Sequence, residues 1–114
     1  MREPLRDKAR LELMLQNISN IRQFTEGMTF EAFDSDLLVM HAVAYNVQSI
    51  GEAVCKLTNE FKDSHPTVEW RVIAGMRHVL VHDYYQVAPI ELWRVVETDL
   101  EPLKTQLEQF LKEI

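Results

Sequence analysis

Residues 77–84, Arg77-His78-Val79-Leu80-Val81-His82-Asp83-Tyr84, gather the side chains of this sequence best suited to chemistry. Arginine is a permanent cation whose planar donors match a phosphate, and histidine exchanges protons near neutral pH. Asp83 adds a carboxylate and Tyr84 a phenol. A guanidinium gripping a phosphate beside an imidazole that moves a proton suits phosphodiester cleavage without a metal. His78 and His82 also have the four-residue spacing of paired helical zinc ligands. No glutamate follows His78 as it does in a zinc-protease helix, however, and no obvious third ligand lies nearby. Spacing alone leaves a plainer alternative open, a polar helix face carrying ordinary surface histidines.

These groups need an element to hold them. Val68, Val72, Ile73, Met76 and Leu80 recur at helical spacing, predicting a helix from about Thr67 to Asp83. With about 100° of turn per residue, Ile73, Met76, Leu80 and Tyr84 fall on one side. Arg71, Gly75, His78 and His82 form a polar ridge on the other, and Gly75 leaves room there for another surface to approach. Arg77 lies between the two sides, from where its long side chain could swing toward the histidines.

The rest of the chain reads as one domain, residues 1–114, an all-α up-and-down bundle of four to five helices. A first helix starting at Pro4 carries Leu11, Met14, Ile18 and Ile21, and Gly27 is a stop. A turn over Thr29–Phe33 tucks two aromatics inward. Ser35 is the expected cap of a long second helix with the stripe Leu37, Met40, Ala44, Val47, Gly51 and Val54. A glycine in mid-helix costs about 1 kcal/mol against alanine, which a close helix crossing at Gly51 would offset. Residues 63–67 read as loop and cap. The segment from Tyr84 to Pro89 ends the motif helix, and a fourth helix carries Ile90, Leu92, Trp93, Val96 and Leu100. Pro102 marks a kink or restart before Leu103, Leu107, Phe110 and Leu111. Trp70 and Trp93 are expected to pack, Cys55 to be a small packed residue, His41 a helix-surface histidine and His65 a loop histidine.

Composition narrows the function classes. The chain is 46% hydrophobic, which argues against disorder, and no apolar run approaches the roughly 20 residues of a membrane span. The single cysteine excludes an internal disulfide and a cysteine-based zinc site. The first residues lack the apolar segment of a secretory signal, so a cytoplasmic protein is expected. Net charge is −6, but the acidity lies in residues 11–60 and 83–114, while residues 61–82 carry three cations, two anions and three histidines. Contact with RNA would therefore be local, through a small site.

The chain resembles the HEPN domain, and within it the HepT-like toxins paired with a minimal nucleotidyltransferase antitoxin. The Arg-x4-His-x-Tyr pattern of that family is met by Arg77, His82 and Tyr84, with His78 where asparagine is commoner. Ser49-Ile50-Gly51-Glu52-Ala53 resembles its Ile-Gly-Glu-Ala segment, Trp70–Met76 the run into the motif, and Leu92-Trp93 with Asp99–Leu103 its tail. The likeness covers residues 5 to 110. It implies a two-fold homodimer with motif helices facing each other, and a metal-independent endoribonuclease that needs no cofactor. Arg77 and His82 would be catalytic, His78 and Asp83 supporting, and Tyr84 the residue to which the partner attaches AMP. A non-catalytic module presenting nucleotide or substrate to the transferase is the alternative reading.

Overall fold

Leu11, Met14, Ile18 and Ile21 are all buried on one face of α1 (Glu3–Thr25). They pack against Val43, Val47, Ile50 and Val54 of α3 (Leu37–Lys56), the central helix. The computed structural model describes residues 3–114, with side chains from residue 6 onward. Every element among them is helical. A buried polar contact sets the register of α1 on α3: Asn46 Oδ1 accepts from Nδ2 of both Asn17 and Asn20, each at 3.1 Å. Buried polar atoms must find partners, so such a contact specifies one alignment where apolar packing would tolerate several.

Gly27 ends α1's run with φ +73, a left-handed value that glycine adopts without a Cβ clash. Thr29 then caps a short helix, α2 (Phe30–Asp34), which buries Phe33 against Trp93 with ring centroids 5.0 Å apart. The expected turn over Thr29–Phe33 is thus a helical turn with its own cap. Ser35 does not cap α3. Asp36 does, accepting from the Val39 amide at 3.1 Å, while Ser35 bonds back to the Glu31 carbonyl and closes α2.

A further short helix, α4 (Asn59–Ser64), begins in a stretch the sequence pattern leaves unassigned and takes in Asp63 and Ser64, part of the expected loop. It is too short for an apolar stripe, and its anchor comes from far along the chain. Asp7 of α1 accepts from the Thr58 amide at 2.9 Å and from its hydroxyl at 2.7 Å, and Thr58 in turn caps α4. The motif helix α5 runs Trp70–Asp83, starting three residues later than Thr67. His65 is more than a loop histidine: it stacks on Phe61 at 4.2 Å and lies 4.3 Å from Phe110. Cys55 is exposed, contrary to the expectation of a packed residue.

After a 3-10 turn at Tyr84–Gln86, Pro89 opens α6 (Pro89–Arg94). A wide π-type turn over Val95–Asp99 joins it to α7 (Leu100–Glu113). Pro102 lies in the first turn of α7, just past the wide turn, where a missing backbone donor is tolerated. Among the described residues the bundle thus consists of the long helices α1, α3, α5 and α7 with short α-helices between them; α6 opens the expected fourth helix, whereas α2 and α4 were not expected as helices. No helix among the described residues is long and apolar enough to cross a membrane.

Candidate active site

The motif helix owes its position to Gly51. A Cβ built there would collide with the Arg77 Cβ and lie 3.0 Å from the Ile73 carbonyl oxygen and 3.2 Å from the Arg77 Cα. Only a residue without a side chain lets α5 cross α3 this closely. The penalty of a mid-helix glycine is therefore spent on bringing the arginine against the central helix. Gly75, by contrast, has open space around it within the chain, in keeping with its place on the outward ridge.

At the crossing, Arg77 Nε donates to Glu52 Oε2 at 2.7 Å. The other carboxylate oxygen, Oε1, lies 3.8 Å from Lys56 Nζ, one turn further along α3. Arg77's side chain is 33% exposed and Glu52's 42%. A pair this wet is worth at most about 1 kcal/mol of stability, so its effect is on orientation more than on folding. The guanidinium is thus tied through Nε to α3.

The histidines occupy the outer ridge. His78 and His82 are exposed, with ring centroids 4.7 Å apart. Arg71 and Gly75 share this open face with Val72 and Val79, both well exposed. Next to the ridge runs a groove between α5 and the α6–α7 segment, lined by Met76, Val79, Val87, Leu92 and Val95. Asp83 ends α5 half-buried, with no ion pair or side-chain hydrogen bond to Arg77, His78 or His82. Among the described residues no group of three or more His, Cys, Asp or Glu is arranged to hold a metal ion.

Tyr84 turns inward. It packs on the edge of the core and meets His41 of α3 edge-on, with centroids 5.3 Å apart. Burial raises its phenol above the usual tyrosine value of 10.0. Its neighbour Tyr85 is the exposed one, 81% open, with its oxygen accepting from Gln86. The structure therefore brings Arg77, His78, His82 and Tyr84 onto one stretch of α5 and its exit turn, and adds two residues from α3. Glu52 and His41 were not singled out by spacing, because helical periodicity within one segment carries no information about which other helix crosses it. The glycine beside Glu52 was the available signal.

The family model described as ribonuclease HepT-like matches residues 14–111. The chain is 37% identical over 102 residues to a Thermococcus cleftensis protein named "Probable ribonuclease HepT", covering 90% of this chain and 93% of that one. Two proteins of Methanocaldococcus jannaschii, each named "Putative RNase", are similar too. One is 31% identical over 112 residues, covering 97% of this chain and 93% of the relative. The other is 30% identical over 101 residues, covering 89% and 93%. No solved structure matches the chain significantly.

Proposed function

Because this chain belongs to the ribonuclease HepT-like family, we propose that it is a metal-independent endoribonuclease, active as a two-fold homodimer and silenced by a partner nucleotidyltransferase. The reading makes it the toxin of a toxin–antitoxin pair. The observation that carries it is the pairing, on one helix, of an anchored, partly exposed guanidinium with an exposed imidazole, Arg77 and His82.

In the proposed reaction the ribose 2′-oxygen attacks the adjacent phosphorus and the P–O5′ bond breaks. One imidazole takes the 2′-hydroxyl proton and another supplies a proton to the leaving O5′, giving a cyclic phosphate and a free 5′-hydroxyl. His82 of each protomer fills these two roles across the dimer axis, a contribution of roughly 10²–10⁴ in rate. Arg77 holds the non-bridging oxygens and stabilises the charge that builds on them. The exposed face bearing Arg71, Gly75, His78 and His82 supports the dimer, since Val72 and Val79 lie beside them uncovered.

Silencing follows from Tyr84. Its oxygen attacks the α-phosphorus of ATP on the partner, pyrophosphate leaves, and AMP stays on the ring. A phenol is protonated near neutrality, so a base must take its proton as the bond to phosphorus forms. A phosphate attached there competes for Arg77 and crowds the cleft.

The direct test is cleavage of RNA by the purified protein in EDTA, with product ends identified. Cyclic phosphate and 5′-hydroxyl ends that disappear in both His82→Ala and Arg77→Ala are expected. Cleavage that persists in both variants, or that requires an added metal, overturns the reading.

A further inference from the structure

Glu52 poses a problem for any phosphate site built around Arg77. A carboxylate that close repels the phosphate the arginine is meant to bind, so ground-state affinity alone gives no reason for it. Its geometry offers one. Arginine has five N–H donors in a fixed fork, and Glu52 Oε2 takes the one on Nε at 2.7 Å. Phosphate can approach a guanidinium from the side, through Nε and one terminal nitrogen, or from the end, through both terminal nitrogens. With Nε engaged, the side approach is closed and the end approach remains.

We propose that Glu52 is a positioning residue that fixes the plane of the Arg77 guanidinium and directs its two terminal nitrogens, end-on, at the scissile phosphate. The proposal rests on the ribonuclease reading and names the device that pre-orients its cation. Two neighbours support the role. Gly51 allows the Arg77 backbone close enough for the contact to form. Lys56 Nζ lies 3.8 Å from Glu52 Oε1 while Arg77 holds Oε2, so each oxygen has its own cation. Pre-orientation acts on the transition state, where a small misplacement of a reacting group can reduce rate by about 10²-fold. The carboxylate's repulsion acts on the bound substrate. Glu52 thus weakens binding slightly and raises turnover.

That opposition is the signature to measure. Steady-state cleavage of a short RNA should show kcat falling about 10- to 100-fold in Glu52→Ala, while KM stays level or drops. Glu52→Gln keeps an acceptor oxygen and should recover most of kcat. Glu52→Asp, one methylene short, should not. An NMR spectrum of the arginine Nε–H groups gives a readout independent of activity. One protected signal, absent in Arg77→Lys, should be lost in Glu52→Ala and kept in Glu52→Gln. Wild-type kcat in Glu52→Ala overturns the proposal. So does a glutamine variant as slow as the alanine one, or a loss of rate that only tracks loss of folded protein by circular dichroism. A wild type that shows the protected signal yet cleaves no RNA instead sinks the ribonuclease reading, and with it the purpose assigned to Glu52.

Discussion

His41 and Tyr84 meet edge to face across the α3–α5 exit, ring centroids 5.3 Å apart and planes at 65°. The contact ties the turn that follows the motif to the central helix and holds inward the phenol on which the proposed silencing depends. An aromatic pair of this kind contributes about 0.5–1.5 kcal/mol beyond its buried area. Its removal should be felt more at the turn than in the fold. His41→Ala is expected to lower unfolding stability by about 1 kcal/mol and to speed modification of Tyr84 by the partner transferase. Time-resolved mass spectrometry of the tryptic peptide would check this. The same experiment separates Tyr84 from the more exposed Tyr85 by fragment ions, and an adduct confined to Tyr85 would refute the assignment.

The Tyr84 phenol should ionise above the usual value of 10.0, because burial disfavours its charged form. A raised pKa in the folded state means that the fold prefers the protonated phenol. The stability this contributes is complete below the unfolded value and is lost only as pH rises through the folded one, so near neutrality it is fully present and does not vary with pH. Absorbance titration near 295 nm, comparing the protein with Tyr84→Phe, should lose its highest-pH component in the variant.

Gly51→Ala should destabilise the protein. The added Cβ meets the Arg77 Cβ and backbone, which cannot rotate away as the tip of a long side chain could. Overpacking of this kind costs about 1–3 kcal/mol, of which about 1 kcal/mol returns as helix propensity. Thermal unfolding should show a net loss, and the displaced α5 should lower RNA cleavage in the fraction that remains folded.

The outward valines offer a test of assembly. Val79 is 42% exposed on the ridge face that also carries His78 and His82. Sedimentation at micromolar concentration should give a dimer for the native chain and a monomer for Val79→Asp, with helical content unchanged. A native chain that sediments as a monomer would remove the two-fold site from the proposed mechanism.

His78 stands 4.7 Å from His82 by ring centroids and departs from the commoner asparagine. If it only positions RNA, His78→Asn should retain cleavage within a few-fold of the native rate, whereas His82→Ala should lose about 10²–10⁴. Parallel single-turnover assays decide this, and equal losses in the two variants would make His78 a second proton carrier.

Local rules within the sequence settle much of this protein. The helical period of Leu11, Met14, Ile18 and Ile21 names the buried face of α1 because that face depends only on 3.6 residues per turn. Gly27 marks its end, since few other residues adopt its φ. The polar ridge of Arg71, Gly75, His78 and His82 is exposed as its phase on the helix requires. The short helices escaped because each rests on a partner distant in sequence: α4 on Asp7 of α1, and α2 on Trp93 of α6. Ser35 and Asp36 are both good caps by type, and only the backbone path chooses between them.

The chemistry divides along the same line. Which residues can bind phosphate or carry a proton is a property of side-chain type, so Arg77, His82 and Tyr84 stand out in the linear text. Where the guanidinium points is decided by a carboxylate 25 residues earlier. Which phenol is sheltered is decided by an imidazole on another helix. Both depend on the separation and rotation of α3 against α5, set at Gly51 by the absence of a single methyl group. Helical periodicity gives each helix its faces, but contact between faces is set only when the helices pack.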